Sequence, residues 1–185
     1  MALTETPEPT IGTAAPDFEL PDPSGRRWTL ADCRGERGTL VMFICNHCPY
    51  VRSAIDRIVA DCRVLTEAGV GCVAIMPNDF ESHPADRPEE MARFATEHGL
   101  FFPYLVDESQ AVARAYGAVC TPDFFGYDKG LRLAYRGRLD AGNPRSAPAG
   151  GDRELLDAMR AVAGGGTPPA GQHPSMGCSI KWRAD

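Results

Sequence analysis

The 185-residue chain predicts an α/β fold: a central, mainly parallel sheet with an antiparallel edge hairpin and helices on both faces. Three observations point there. The apolar runs at 40–45 and 72–76 are continuous, as expected of strands buried on both faces. Segments with helical spacing separate these runs. Late in the chain, two short apolar stretches bracket Asp128-Lys129-Gly130, a hairpin turn signal.

The elements follow in order. Residues 1–13 are rich in Thr, Pro and Glu and predict a flexible arm. Residues 17–20 and 27–30 alternate in polarity around Asp22-Pro23-Ser24-Gly25, which predicts an N-terminal hairpin extension. Residues 40–45 form the first buried strand. In 50–68, Val51, Ile55, Ile58, Val59, Cys62 and Leu65 make one apolar stripe, and Gly69 supplies the stop. Residues 72–76 are the next strand, 87–98 a helix and 104–107 a short strand. A short helix over 109–116 has Ser109 as its expected cap and Gly117 as its end. The hairpin spans 123–127 and 131–137, and a final helix covers 153–163. The domain therefore runs over 14–163, and 164–185 form a Gly/Pro linker and a Cys-containing tail.

Composition narrows the function. The net charge of -6, with no basic cluster, excludes nucleic acid and an anionic membrane as expected partners. No apolar run approaches the roughly 18 residues of a membrane span. Met1–Pro9 lacks the basic start and apolar centre of a secretory signal, so the expected location is cytoplasmic. Seven cysteines at irregular spacing do not form a secreted disulfide framework. Cys72 and Cys62 are expected in the core, because free Cys packs as a small hydrophobe, and Cys33 in a loop. His83 and His98 are expected in solvent, as are Arg132, Arg136 and Arg138 on a hairpin face. Asn78 and Asp79 follow a strand end, where α/β sheets place ligand loops, but a turn role is the simpler reading.

Chemistry concentrates in Cys45-Asn46-His47-Cys48-Pro49. A strand delivers two thiols to the start of a helix, close enough to bond to each other. A helix N-terminus favours the thiolate, the reactive form. Alone, a C-x-x-C is equally half of a zinc site.

Three matches resemble the thioredoxin superfamily, in the peroxiredoxin-like redoxins of the alkyl hydroperoxide reductase/thiol-specific antioxidant branch. They are Ala15-Pro16-Asp17-Phe18-Glu19-Leu20 followed by Trp28-Thr29-Leu30, the strand with its C-x-x-C, and Cys120-Thr121-Pro122-Asp123-Phe124-Phe125. The terminal Gly177-Cys178-Ser179-Ile180-Lys181-Trp182 resembles the tail of a subgroup that also shares the Cys-Asn-His-Cys motif. The resemblance implies a thioredoxin fold and a thiol–disulfide oxidoreductase with no organic cofactor. In it, Cys45 is the exposed attacking thiol and Cys48 the resolving one. It also implies a cis Pro122 against the dithiol, with Thr121 and Cys120 close by.

His47 is expected to donate to a thiolate and so make the disulfide a stronger oxidant. Cys178 is either incidental, a third redox thiol brought in by a docked tail, or a partner of Cys120. The expected partner is a protein or small-molecule dithiol or disulfide, and the expected state a monomer or homodimer. Two alternatives stay open. As a peroxidase, Cys48 would be peroxidatic, although Cys45 and Val41 stand where peroxiredoxins carry threonine and proline. As a metal-binding protein, Cys45, Cys48, Cys120 and Cys178 would form a thiolate shell.

Overall fold

A computed structural model describes residues 3–144 and 153–184. Residues 1–2 of the arm, 145–152 of the domain and 185 of the tail lie outside the described residues. The main sheet has five strands: β4 (Gly38–Phe43), β5 (Val70–Met76), β6 (Tyr104–Val106), β8 (Asp123–Asp128) and β9 (Leu133–Gly137). Their spatial order is β6-β5-β4-β8-β9. β4, β5 and β6 run parallel, with Leu40 opposite Cys72, while β8 and β9 form the antiparallel hairpin at the edge.

Every residue of β4 is buried, which explains its unbroken apolar sequence. Leu40, Met42 and Ile44 pack with Ile55, Ile58 and Leu65 of α2 (Pro49–Glu67) and with Leu155 and Met159 of α5 (Glu154–Ala163). Met91 and Phe94 of α3 (Pro88–Glu97) join this layer. Val41 and Phe43 face the other way, toward Ala113 and Tyr116 of α4 (Ala111–Tyr116) and the hairpin of β2 (Glu19–Pro21) and β3 (Arg27–Thr29). Helices therefore cover both faces. Each fully buried Leu or Ile contributes about 1.5–3 kcal/mol relative to exposure, so α2 is held chiefly by its apolar stripe. Gly69 ends that helix in the left-handed region, at φ 86°. Cys62 and Cys72 are buried in this core, as their apolar surroundings implied.

Several expectations need correction. Leu30–Cys33 is a helical turn, α1, with a capping box between Thr29 and Asp32. Cys33 is therefore buried at a helix end and not in a loop. Ser109 is not the cap of α4. Gln110 occupies that position in the left-handed region, and the Ser109 hydroxyl accepts from the Ala111 amide at 3.3 Å. Arg136 is buried, not solvated. It donates to Asp123 at 3.0 Å and to the Gly117 carbonyl at 2.7 Å, and its guanidinium lies 4.5 Å from the Phe125 ring centre. Arg138 is half-buried, clamped on Glu154 at 2.6 Å. His98 is half-buried against Phe94 and pairs with Asp56 at 3.1 Å.

The arm and tail form a second sheet, in the order β1-β10-β7. β1 (Leu3–Glu5) pairs antiparallel with β10 (Met176–Ser179), so the arm is not wholly unstructured. β10 in turn pairs antiparallel with β7 (Cys120–Thr121), setting Cys178 opposite Thr121 and Ser179 opposite Cys120. Beyond the ladder, the Lys181 carbonyl accepts from the Asp79 amide and from Gln110 Nε2, both at 2.8 Å. Arg114 lies over the Trp182 ring at 4.4 Å.

Gly177 is required by this docking: a Cβ there would sit 2.0 Å from the Thr121 carbonyl oxygen. Substituting Gly177→Ala should force β10 away from β7 at a cost of about 1–3 kcal/mol. Amide hydrogen exchange should accelerate selectively at the β10 ladder, while β4 and β5 keep their protection. Unchanged exchange at β10 would contradict the tight docking.

Candidate active site

The dithiol sits where β4 gives way to α2. Ile44 N–H still bonds to the Ile75 carbonyl at 3.0 Å, so the chain leaves the sheet only at Cys45. Cys48 is the N-cap of α2, and Pro49 takes the first helical position, where a missing N–H costs nothing. The peptide bond between Thr121 and Pro122 is cis, as the resemblance implied.

Thr121 touches both sulfurs. Cys48 Sγ lies 3.1 Å from the Thr121 carbonyl oxygen, to which it can donate only while protonated, and Cys45 Sγ lies 3.3 Å from Thr121 Oγ1. Both thiols are buried, Cys45 at 1% exposure and Cys48 at 0%. The exposed first thiol expected from the resemblance is therefore absent: β10 packs over the motif and shuts both sulfurs from solvent. Cys178 is 5% exposed and belongs to the same packed cluster as Cys45 and Cys48. Cys120 is also buried, but it is adjacent to Thr121 in β7 and so points to the opposite side of the ladder. Its thiol lies 3.6 Å from the Pro122 carbonyl, and burial pushes its pKa up.

The groups that stabilise a thiolate converge on Cys48. The Cys45 thiol donates to it, and the Cys178 thiol and the amides of Val51 and Cys178 add to the effect, against the penalty of burial. These hold the Cys48 thiol down at about 5. The Val51 amide acts through proximity to the helix N-terminus, since it makes no aligned capping hydrogen bond. Cys45 is pushed well up, first by sharing its proton with Cys48, then by burial and by the Asp86 carboxylate. The attacking role read from the resemblance for Cys45 thus sits uneasily with the local electrostatics.

Asp86 is the residue that sequence reasoning missed. It ends a 3-10 turn at Pro84–Asp86 and is fully buried. Its Oδ1 accepts from the Asn46 amide at 2.9 Å and its Oδ2 from Asn78 Nδ2 at 2.8 Å. His47 Nδ1 lies 2.7 Å from Oδ2 in an ion pair without an aligned hydrogen bond. Burial raises the Asp86 carboxyl, but His47, Asn78 and the Asn46 amide outweigh it and the net pKa lies below the usual value. Asp86 in turn raises His47, against partial burial. Asn46 is pinned further by Tyr104, whose hydroxyl donates to Asn46 Oδ1 at 3.0 Å. Asn78, read as a turn residue, accepts from the Lys181 amide at 2.9 Å and so ties this network to the tail. His83, expected in solvent, stacks on His47 with ring centres 5.6 Å apart. The only sequence signal for the network was its composition, because its members are scattered from Asn46 to Lys181.

One grouping among the described residues has donor atoms close enough for a metal ion: Cys45, His47 and Asp86, within 4.8 Å of one another. The shell of Cys45, Cys48, Cys120 and Cys178 is not such a grouping. Both Asp86 oxygens already accept hydrogen bonds, so an ion would have to compete with the network.

The architecture is a thioredoxin fold. A crystal structure of an uncharacterised conserved protein from Geobacillus kaustophilus matches with a TM-score of 0.95 at 40% identity, covering 100% of this chain and 98% of that one. A "putative peroxiredoxin" of Mycobacterium tuberculosis is 32% identical over 67% of this chain and 74% of its own length. The thiol-disulfide oxidoreductase ResA of Geobacillus thermodenitrificans is 29% identical over 69% of this chain and 68% of its own. The AhpC/TSA family model matches residues 11–136, which hold the dithiol, Asp86 and the cis-proline loop but not the tail strand. The chain belongs to the AhpC/TSA family.

Proposed function

We propose that the protein is a thiol–disulfide oxidoreductase in which Cys45 and Cys48 cycle between dithiol and disulfide, exchanging electrons with a protein or small-molecule disulfide. The observation that carries this reading is the convergence of both sulfurs on Thr121, beside the cis-Pro122 bond and at the head of α2. ResA of Geobacillus thermodenitrificans, a thiol-disulfide oxidoreductase by name, supports it.

In the reducing direction, the Cys48 thiolate attacks the substrate disulfide and expels one substrate sulfur as a thiolate. Cys45 then gives up its proton to the expelled substrate thiolate and attacks Cys48 Sγ. The second substrate sulfur leaves, and the Cys45–Cys48 disulfide remains; two electrons have passed to the substrate. Asp86 raises the His47 pKa, and an imidazolium beside Cys48 favours the thiolate. Because a stabilised thiolate stabilises the reduced form, the pair is expected to be a comparatively strong oxidant. Pro122 and Thr121 act by positioning the two sulfurs.

The same thiolate favours a second reading. Cys48 would reduce hydrogen peroxide to water through a sulfenic acid, and Cys45 would condense with that acid to give the disulfide and a second water. Stopped-flow oxidation of the reduced protein separates the readings. The oxidoreductase reading expects a small aromatic disulfide to oxidise the dithiol faster than an equal concentration of hydrogen peroxide; the reverse order would favour the peroxidase.

Two further outcomes are expected. Thiolate absorbance of the reduced protein should grow as pH rises through about 5. That transition should vanish in Cys48→Ser and move upward in Cys45→Ser, which removes the main donor. A first transition near the ordinary thiol value would refute the electrostatic assignment. Replacing His47→Ala should raise the Cys48 midpoint and make the disulfide less oxidising in a redox titration. An unchanged potential in His47→Ala would remove the imidazole from the mechanism.

A further inference from the structure

The tail places a third thiol where the dithiol reading does not require one. Cys178 stands directly across the β10–β7 ladder from Thr121, whose carbonyl and hydroxyl contact Cys48 and Cys45. Residues directly opposite in an antiparallel pair share a face, so Cys178 points to the same side as the Thr121 side chain. All three sulfurs lie in one packed cluster.

The placement is held from both ends. Ser175 Oγ donates to the Pro122 carbonyl at 2.7 Å, and its amide donates to Thr6 Oγ1 at 3.0 Å. On the other side, the Ile180 amide bonds to the Val119 carbonyl at 3.1 Å and the Lys181 amide to Asn78. A loose tail cysteine would need none of these. A cavity of about 310 Å³ opens beside Pro122, lined by Tyr50, Arg57, Ser175 and Met176, and none of the three sulfurs lines it. The thiol nearest to an oxidised pair is therefore one of the chain's own.

We propose that Cys178 is a third catalytic thiol, which exchanges with the Cys45–Cys48 disulfide to form a Cys48–Cys178 disulfide. This rests on the dithiol reading above. Cys178 sulfur attacks Cys48 Sγ, the Cys45–Cys48 bond breaks, and Cys45 departs with the sulfur electron pair and takes up the proton that Cys178 gives up. No net oxidation occurs, so no further oxidant is needed. The product ties β10 covalently to the head of α2 and frees Cys45. The same attack on a substrate mixed disulfide at Cys48 releases the substrate thiol and competes with Cys45. Burial holds the Cys178 thiol up at about 12 while the pair is reduced, with the Cys48 thiolate adding to it. The second contribution disappears once Cys48 is in a disulfide, so exchange is set to follow oxidation. Well-oriented intramolecular groups reach effective molarities of about 10⁵ M or more, which lets Cys178 outcompete dissolved thiols.

The test is peptide mapping of disulfides after treatment with oxidised glutathione. Wild type should yield Cys45–Cys48 together with a fraction of Cys48–Cys178. Cys45→Ser should yield Cys48–Cys178, and Cys45→Ser/Cys178→Ser should instead accumulate glutathione on Cys48, several-fold above the single variant. Glutathione left on Cys48 to the same extent in both variants would overturn the proposal. Absence of Cys48–Cys178 from the wild-type map would overturn it too, without relying on any substitution. Failure of wild type to form Cys45–Cys48 would instead sink the dithiol reading, so the two failures are distinguishable.

Discussion

Thr121 is the residue on which the geometry around the sulfurs depends. Its carbonyl meets Cys48, its hydroxyl meets Cys45, and its backbone forms the ladder that carries Cys178. A single backbone position therefore sets the distances among the motif, the cis-proline loop and the tail. The consequence is a buried dithiol. A thiolate in such a place survives only if donors replace the water it has lost. Here those donors are a neighbouring thiol, the head of α2 and the tail strand itself.

Asp86 supplies the opposing charge. A fully buried carboxylate is costly unless its oxygens are hydrogen-bonded, and the Asn46 amide and the Asn78 side chain meet that need while the His47 ring lies 2.7 Å away. The arrangement sorts the two cysteines. The carboxylate disfavours a thiolate on Cys45, whereas the helix terminus and the imidazole favour one on Cys48. Because Asn78 also accepts from the Lys181 amide, docking of the tail is mechanically continuous with the network that polarises the dithiol. Any displacement of the tail would therefore be felt at the sulfurs both as solvent entry and as a lost donor.

Much of this was legible in the sequence because it is local. The unbroken apolar character of β4 and β5, the stripe of α2, the Gly69 stop and the Asp128-Lys129-Gly130 hairpin each follow from residues within one element. The C-x-x-C and the Cys120-Thr121-Pro122 loop were legible for the same reason. What escaped was nonlocal. Asp86 is one of many acidic residues, and nothing in its neighbours marks it as the buried partner of a histidine 39 positions earlier. Arg136 has the composition of a solvated hairpin position and is buried only because Asp123, across the hairpin, and the Phe125 ring receive it.

The sequence by itself determined the layers and the strand that carries the dithiol, since hydrophobic period and motif spacing are written along the chain. Only the tertiary structure decided on which cysteine the thiolate-stabilising groups converge and which thiols meet. Those outcomes depend on burial and on hydrogen bonds between segments more than 70 residues apart, from Cys48 to Thr121 and from Lys181 back to Asn78. A pKa and a sulfur–sulfur encounter are sums over such contacts in space, and no period along the chain encodes them.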